Sequence, residues 1–221
     1  MKKIKKKVDL LDRIQLTASF VLKITLITAF ISAIHQQNWL TLFVVAVTLF
    51  VSFLPAIIRR NYRIFIPIEF EFVLLIFVYA SLFLGELHGY YTTFWWWDIM
   101  LHGLSSISFG FLGFLVLYIL YCEEKIKTSP ILIAVCSFCF AVAMGSMWEI
   151  FEFSMDHFFE FNMQKSGLID TMGDIIVNAS GAFIIATIGY IYMKRGYTFL
   201  FKRLINKFLM ANPRLVRRYN E

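Results

Sequence analysis

Three short stretches of the chain set carboxylates and one imidazole at helical spacing. Asp98 and His102 stand four apart in Trp97-Asp98-Ile99-Met100-Leu101-His102, and Ser105 and Phe109 continue that stripe. Glu149, Glu152 and Asp156 stand at i, i+3 and i+7, within about 60° of helical arc. Asp170, Asp174 and Asn178 step by four, with Gly181 extending the same face. Residues three or four apart are neighbours on a helix surface, so each stretch predicts a polar stripe on one helix. Carboxylates with a single imidazole are donors for hard or borderline divalent metals such as Zn, Mn, Mg or Fe. A metal held there would lower the pKa of a bound water, and a spare carboxylate would accept the proton.

The elements that carry these residues are apolar. The 221 residues are 59% hydrophobic and 18% aromatic with 16% charged, and the mean hydropathy is +0.70. An ordinary soluble domain has about 25% charged residues, so the composition excludes a soluble enzyme and, equally, a disordered chain. A membrane-spanning helix takes roughly 20 mostly apolar residues. Six such stretches are predicted, at about 15–34, 38–58, 64–84, 97–121, 130–153 and 173–193. The fold class expected is an all-α, polytopic bundle of six transmembrane helices, with residues 1–196 as the spanning domain and 197–221 as a basic cytoplasmic tail.

The cations orient this bundle. Of the 21 Lys and Arg, only Lys23 and Lys165 fall outside the amino terminus, the loops after the second and fourth spans, and the carboxyl tail. Excess Lys and Arg in short loops marks the cytoplasmic side, so both termini are expected inside. The basic amino terminus resembles the start of a signal peptide, but the apolar stretch after it is too long and has no small-residue cleavage site. It is read as a retained first span. The net charge of +6 flanks spans instead of forming a nucleic-acid reading surface. Anionic lipid headgroups at the inner leaflet are the expected partner, and nucleic acid is not. Residues 197–210 mix Phe, Leu and Ile with Lys and Arg, the pattern of an amphipathic helix lying on the inner membrane surface.

The acids gather on the other side. Glu86, Asp98, Glu149, Glu152, Asp156, Glu160, Asp170 and Asp174 fall in the outer half or the outer loops, accompanied by His35, His88, His102 and His157. An ionisable group at a span centre costs about 2.5–3.5 kcal/mol on insertion scales, so the three stripes are expected to face one another and not lipid. Gly103, Gly110, Gly113, Gly181 and Gly189 would let the helices approach closely. The predicted result is an outward-facing pocket.

Other residues read more plainly. Cys136 and Cys139 have metal-site spacing, but they lie off the Glu149–Glu152 face of the fifth span and are expected to be small buried hydrophobes. Lys23 and the pair Glu69 and Glu71 lie at similar depth from the inner face, which predicts an ion pair. Tyr90, Tyr91, Phe94 and Trp95–Trp97 suggest an interfacial aromatic belt.

The run Trp97-Asp98-x-x-x-His102, then Trp148-Glu149-x-x-Glu152, then Gly167-Leu168-Ile169-Asp170-Thr171-x-x-Asp174 with Gly181-Ala182 resembles the YjdF-like family of bacterial multi-span membrane proteins over roughly residues 60–190. A looser similarity extends to VanZ-like proteins, through Asp-x-x-x-His, a Glu in another span, and Asp174-x-x-x-Asn178-x-x-Gly181-Ala182. That likeness implies a cell-envelope setting and no particular reaction.

The expectation drawn from the residues is a divalent-metal-dependent hydrolase or transferase in the cytoplasmic membrane, acting on a lipid-linked or envelope substrate. Asp98, His102, Glu149 and Asp174 would hold the metal, and Glu152 or Asp170 would be the base, with Asn178 and Asp156 beside them. Two alternatives stand against it. One is a proton- or cation-coupled transporter or flippase, and the other is an envelope protein whose acids form a structural network.

Overall fold

The computed structural model describes residues 10–160, 163–164, 166–196 and 199–215. Lys2, Lys3, Lys5, Lys6, Lys7, Lys165, Arg217 and Arg218 lie outside the described residues. Every element is helical, and no strand forms among the described residues. Among the described residues six helices are long and apolar enough to cross a membrane. The chain is a multi-pass membrane protein, and it divides into two compact units, Met1–Thr93 and Phe94–Glu221.

The first unit holds α1 (Leu10–His35), α2 (Trp39–Tyr62), α3 (Ile68–Val78) and the short α4 (Tyr90–Thr93). The Asn38 side chain accepts from the Thr41 amide at 3.0 Å and starts α2. A left-handed Arg63 ends it, its N–H bonded to the Arg59 carbonyl. Pro67 then opens α3 by fixing the backbone just outside the first turn. Glu69 and Glu71 fall in that first turn, where a helix N-terminus favours negative charge.

Lys23 has a different partner from the carboxylates its depth suggested, because its ammonium lies 4.8 Å above the Phe53 ring of α2. Depth follows from residue number, but the direction a side chain takes depends on how the helices are rotated.

The third span does not stay α-helical. From Tyr79 to Leu87 it winds as a π-helix, with i→i+5 hydrogen bonds. Thr25 meets Tyr79 there at 3.2 Å, and Ser81 meets Tyr91 at 2.9 Å. Tyr91 lies flat against Gly85, where any Cβ would overlap its ring.

The second unit holds α5 (Trp97–Cys122), α6 (Pro130–Phe159), α7 (Leu168–Arg195) and α8 (Phe199–Ala211). Helices α5, α6 and α7 each pack on the other two. Ser129 caps α6 with Pro130 at its first position, and a left-handed Gly196 ends α7. Midway along, the Ser137 hydroxyl of α6 donates to the Gly110 carbonyl of α5 at 2.6 Å. Gly110 has no room for a side chain, since an added Cβ would overlap Ile185 of α7. Cys136 and Cys139 are not buried as expected. Both are exposed on the outer face of α6, because Ser137 and Ala141 take the inward positions.

Helix α8 is amphipathic as its pattern predicts, but its apolar stripe has a partner other than lipid. Phe201, Ile205 and Leu209, at i, i+4 and i+8, are buried. The Phe201 ring lies 5.0 Å from Phe111, 4.9 Å from Phe114 and 5.6 Å from Tyr192. The stripe is buried on this aromatic surface of α5 and α7, while Lys202 stays exposed.

Candidate metal-binding site

The site is built at the first turns of α5 and α7 and the last turns of α6. At the start of α5, Trp97 packs against Trp96 at 5.5 Å and Phe94 at 6.3 Å between ring centroids. Its amide bonds to the Phe94 carbonyl. Trp97 is therefore buried and forms part of the support of α5, whereas Trp95, 82% exposed, suits the expected aromatic belt.

His102 stands at the centre, 7% exposed. Its Nε2 lies 3.4 Å from Oδ1 of Asp98, one turn back on the same helix, and 3.8 Å from Oδ2 of Asp174 on α7. One ligand atom from each of Asp98, His102 and Asp174 falls within 4.8 Å of the other two. The opposite ring nitrogen, Nδ1, lies 3.7 Å from Oε1 of Glu149 on α6 and 3.3 Å from the Asn178 amide of α7. The imidazole thus separates two sets of polar groups, and all three helices reach it.

Close backbone approach makes this possible. At Gly181 an added Cβ would come within 3.1 Å of the Gly103 carbonyl and 3.2 Å of Ser106. The Ser106 hydroxyl donates to the Asn178 carbonyl across the α5–α7 contact. At Gly145 of α6 an added Cβ would lie 2.6 Å from the Asn178 amide nitrogen. Asn178 therefore occupies a notch that only glycine leaves open.

Glu149, Asp174 and Asn178 are at most 4% exposed and Glu152 is 8% exposed. Both carboxylate oxygens of Glu149 are buried and make no hydrogen bond, and neither does Oδ1 of Asn178. Burying a carboxylate without a partner is expensive, so a group of this kind calls for an explanation. Glu152, three residues on, accepts from the Trp148 indole N–H at 2.9 Å. Glu149, His102 and Asp98 are its electrostatic neighbours. Asp170 is half-buried at the start of α7 and acts electrostatically on Glu149.

The structure brings together Asp98, His102, Glu149, Glu152, Asp174 and Asn178, with Asp170 at the edge. Asp156 has another task. Its two oxygens accept from the amides of Met163 and Gln164 at 2.7 and 2.8 Å, and the Gln164 side chain donates to Thr171 at 2.7 Å. Asp156 thereby ties the end of α6 to the start of α7. His157 stacks on Phe153, and exposed His88 bonds the Phe83 carbonyl at 2.7 Å. Ser105 turns back to the carbonyl of His102. Ser106 and Gly145 are the functional neighbours that the stripes did not single out. Each lies four residues from a site residue, Ser106 after His102 and Gly145 before Glu149, and that spacing is the signal that marks them.

Fold and site together describe a multi-pass membrane protein with an acid–histidine cluster inside a three-helix contact. The family described as "Predicted membrane protein (DUF2238)" matches residues 14–195, and the chain belongs to that family. A relative in Thermotoga maritima, described as an uncharacterized protein, is 31% identical over 128 residues. The match covers 57% of this chain and 64% of the relative, so the chain spans less than two thirds of that relative's length. No solved structure gives a significant match.

Proposed function

We propose that this protein is a divalent-metal-dependent hydrolase or transferase of the cytoplasmic membrane, acting on a lipid-linked or envelope substrate. One observation carries the reading: ligand atoms of Asp98, His102 and Asp174 converge within 4.8 Å inside a span bundle. Ionisable groups are costly there and are tolerated for function. The donor set fits a metal. Two carboxylates and one imidazole suit Zn, Mn or Fe better than Ca.

Asp98, Asp174 and Nε2 of His102 would hold the ion, which would supply Lewis acidity and an activated water. Glu152, oriented by Trp148, or half-buried Asp170 would accept the proton. The distribution of Lys and Arg supports termini in the cytoplasm and a site toward the outer side. Exposed Trp95, Leu168 and Ile169, close in sequence to Asp98 and Asp170, support an amphiphilic substrate, and the likeness to YjdF-like and VanZ-like proteins supports an envelope setting.

Elemental analysis tests the reading on protein purified in detergent without chelators. Near-stoichiometric transition metal in the wild type, lost in His102→Gln and Asp174→Asn, is the expected result. Absence of metal from the wild type after addition of Zn, Mn or Fe overturns it.

A further inference from the structure

We infer that Glu149 is a positioning residue and not a metal ligand, so that the protein supplies three ligands and leaves a coordination position open. The inference rests on the metal reading above and decides what kind of metal site it is. It starts from the two sides of the imidazole. Nε2 faces Asp98 and Asp174 at 3.4 and 3.8 Å, and Nδ1 faces Glu149 at 3.7 Å. A neutral imidazole has one lone pair and one N–H. An ion gathered by Asp98 and Asp174 takes the lone pair of Nε2, so the proton stays on Nδ1. Glu149 is the carboxylate on that side. Metal-bound histidines characteristically donate their second N–H to a carboxylate or carbonyl, which fixes the ring and its tautomer.

This assignment explains the unpartnered Glu149. Its oxygens are buried without a hydrogen bond because the donor they serve is the Nδ1–H that metal binding requires. The Asn178 atom nearest Nδ1 is its amide nitrogen, at 3.3 Å, a donor that suits the metal-free ring. With the proton on Nδ1 the amide would turn over and bring the unpartnered Oδ1 to that N–H. Helices α5 and α7 then hold the ion, and α6 holds the ring that binds it. The distinction matters for chemistry. A site closed by four protein ligands is structural, whereas three ligands leave room for water or substrate.

Cobalt(II) replacing the native ion gives the test in the full-length protein. Azide added to the wild-type cobalt form should shift its visible absorption bands, and an unchanged spectrum overturns the inference. Glu149→Gln keeps an acceptor for Nδ1–H, so its cobalt spectrum should match the wild type, with affinity within about 10-fold. Glu149→Leu removes the acceptor and should weaken binding about 10–100-fold, while Asp174→Asn should exceed that loss. A Glu149→Gln spectrum unlike the wild type, with affinity as poor as that of Asp174→Asn, makes Glu149 a ligand and overturns the inference while the metal reading stands. Wild-type protein that takes no cobalt overturns the metal reading itself.

Discussion

The two units treat their buried polar groups in opposite ways. In Met1–Thr93 the two most buried hydroxyls fold back on their own helix, Thr48 to the Val44 carbonyl at 2.8 Å and Ser52 to the Leu49 carbonyl at 2.7 Å. The bonds that leave a helix there, Thr25–Tyr79 and Ser81–Tyr91, join half-buried hydroxyls. In Phe94–Glu221 the buried groups cross between helices. Ser137 reaches Gly110, Ser106 reaches Asn178, and His102 meets groups from α6 and α7. A hydroxyl bonded within its own turn satisfies itself wherever the helix sits. A group bonded across helices needs one particular rotation of each helix, and that requirement is what places Asp98, His102 and Asp174 together.

Substitutions can break or sharpen this contrast. The largest effect is expected at His102. His102→Leu leaves Asp98, Glu149 and Asp174 facing an apolar side chain, and loss of a buried partner costs about 3–5 kcal/mol. The result should be a sharp fall in the thermal midpoint of the detergent-solubilised protein, and an unchanged midpoint would count against the ring as the centre of the cluster. Next comes Gly145→Ala, where the new methyl meets Asn178 at 2.6 Å. Overpacking costs about 1–3 kcal/mol, and metal content should fall with it. Gly173→Ala, with nothing within 4 Å, should change neither.

In the first unit, Lys23→Met gives up a cation–π contact of about 0.5–1 kcal/mol. It should leave metal binding intact, and a loss of metal there would join the two units functionally. The smallest difference separates two hydroxyls. Ser106→Ala should cost about 0.6 kcal/mol, an average for an interhelical hydrogen bond in a membrane. Thr48→Val should cost less, since its bond is local. Equal losses in a chemical-denaturation series would remove the contrast.

The positions of the spans and the stripes were legible because both are periodic in the sequence. Six apolar stretches define six helices, and carboxylates spaced by three or four share a face whatever surrounds them. Rotation about each helix axis was not legible, and the misplacements come from it. Lys23 has the depth of Glu69 but turns to Phe53. Cys136 and Cys139 turn outward. Gly145 was invisible for another reason, because its role is the space it leaves for a residue 33 positions away, Asn178. The side of the imidazole that Glu149 occupies also depends on packing, since spacing along α6 says nothing about which ring nitrogen a neighbouring helix presents.

The π-wound stretch of the third span has a consequence for how its length may vary. Its buried residues Ala80 and Gly85 are five apart, one i→i+5 step of the winding. Removing a single residue between Ala80 and Gly85 would put them four apart, on one face of ordinary α winding. Gly85 would then stay on the side of the helix that meets the Tyr91 ring. A one-residue deletion here is absorbed by the change of winding, whereas the same deletion in a purely α-helical span turns everything after it by about 100°.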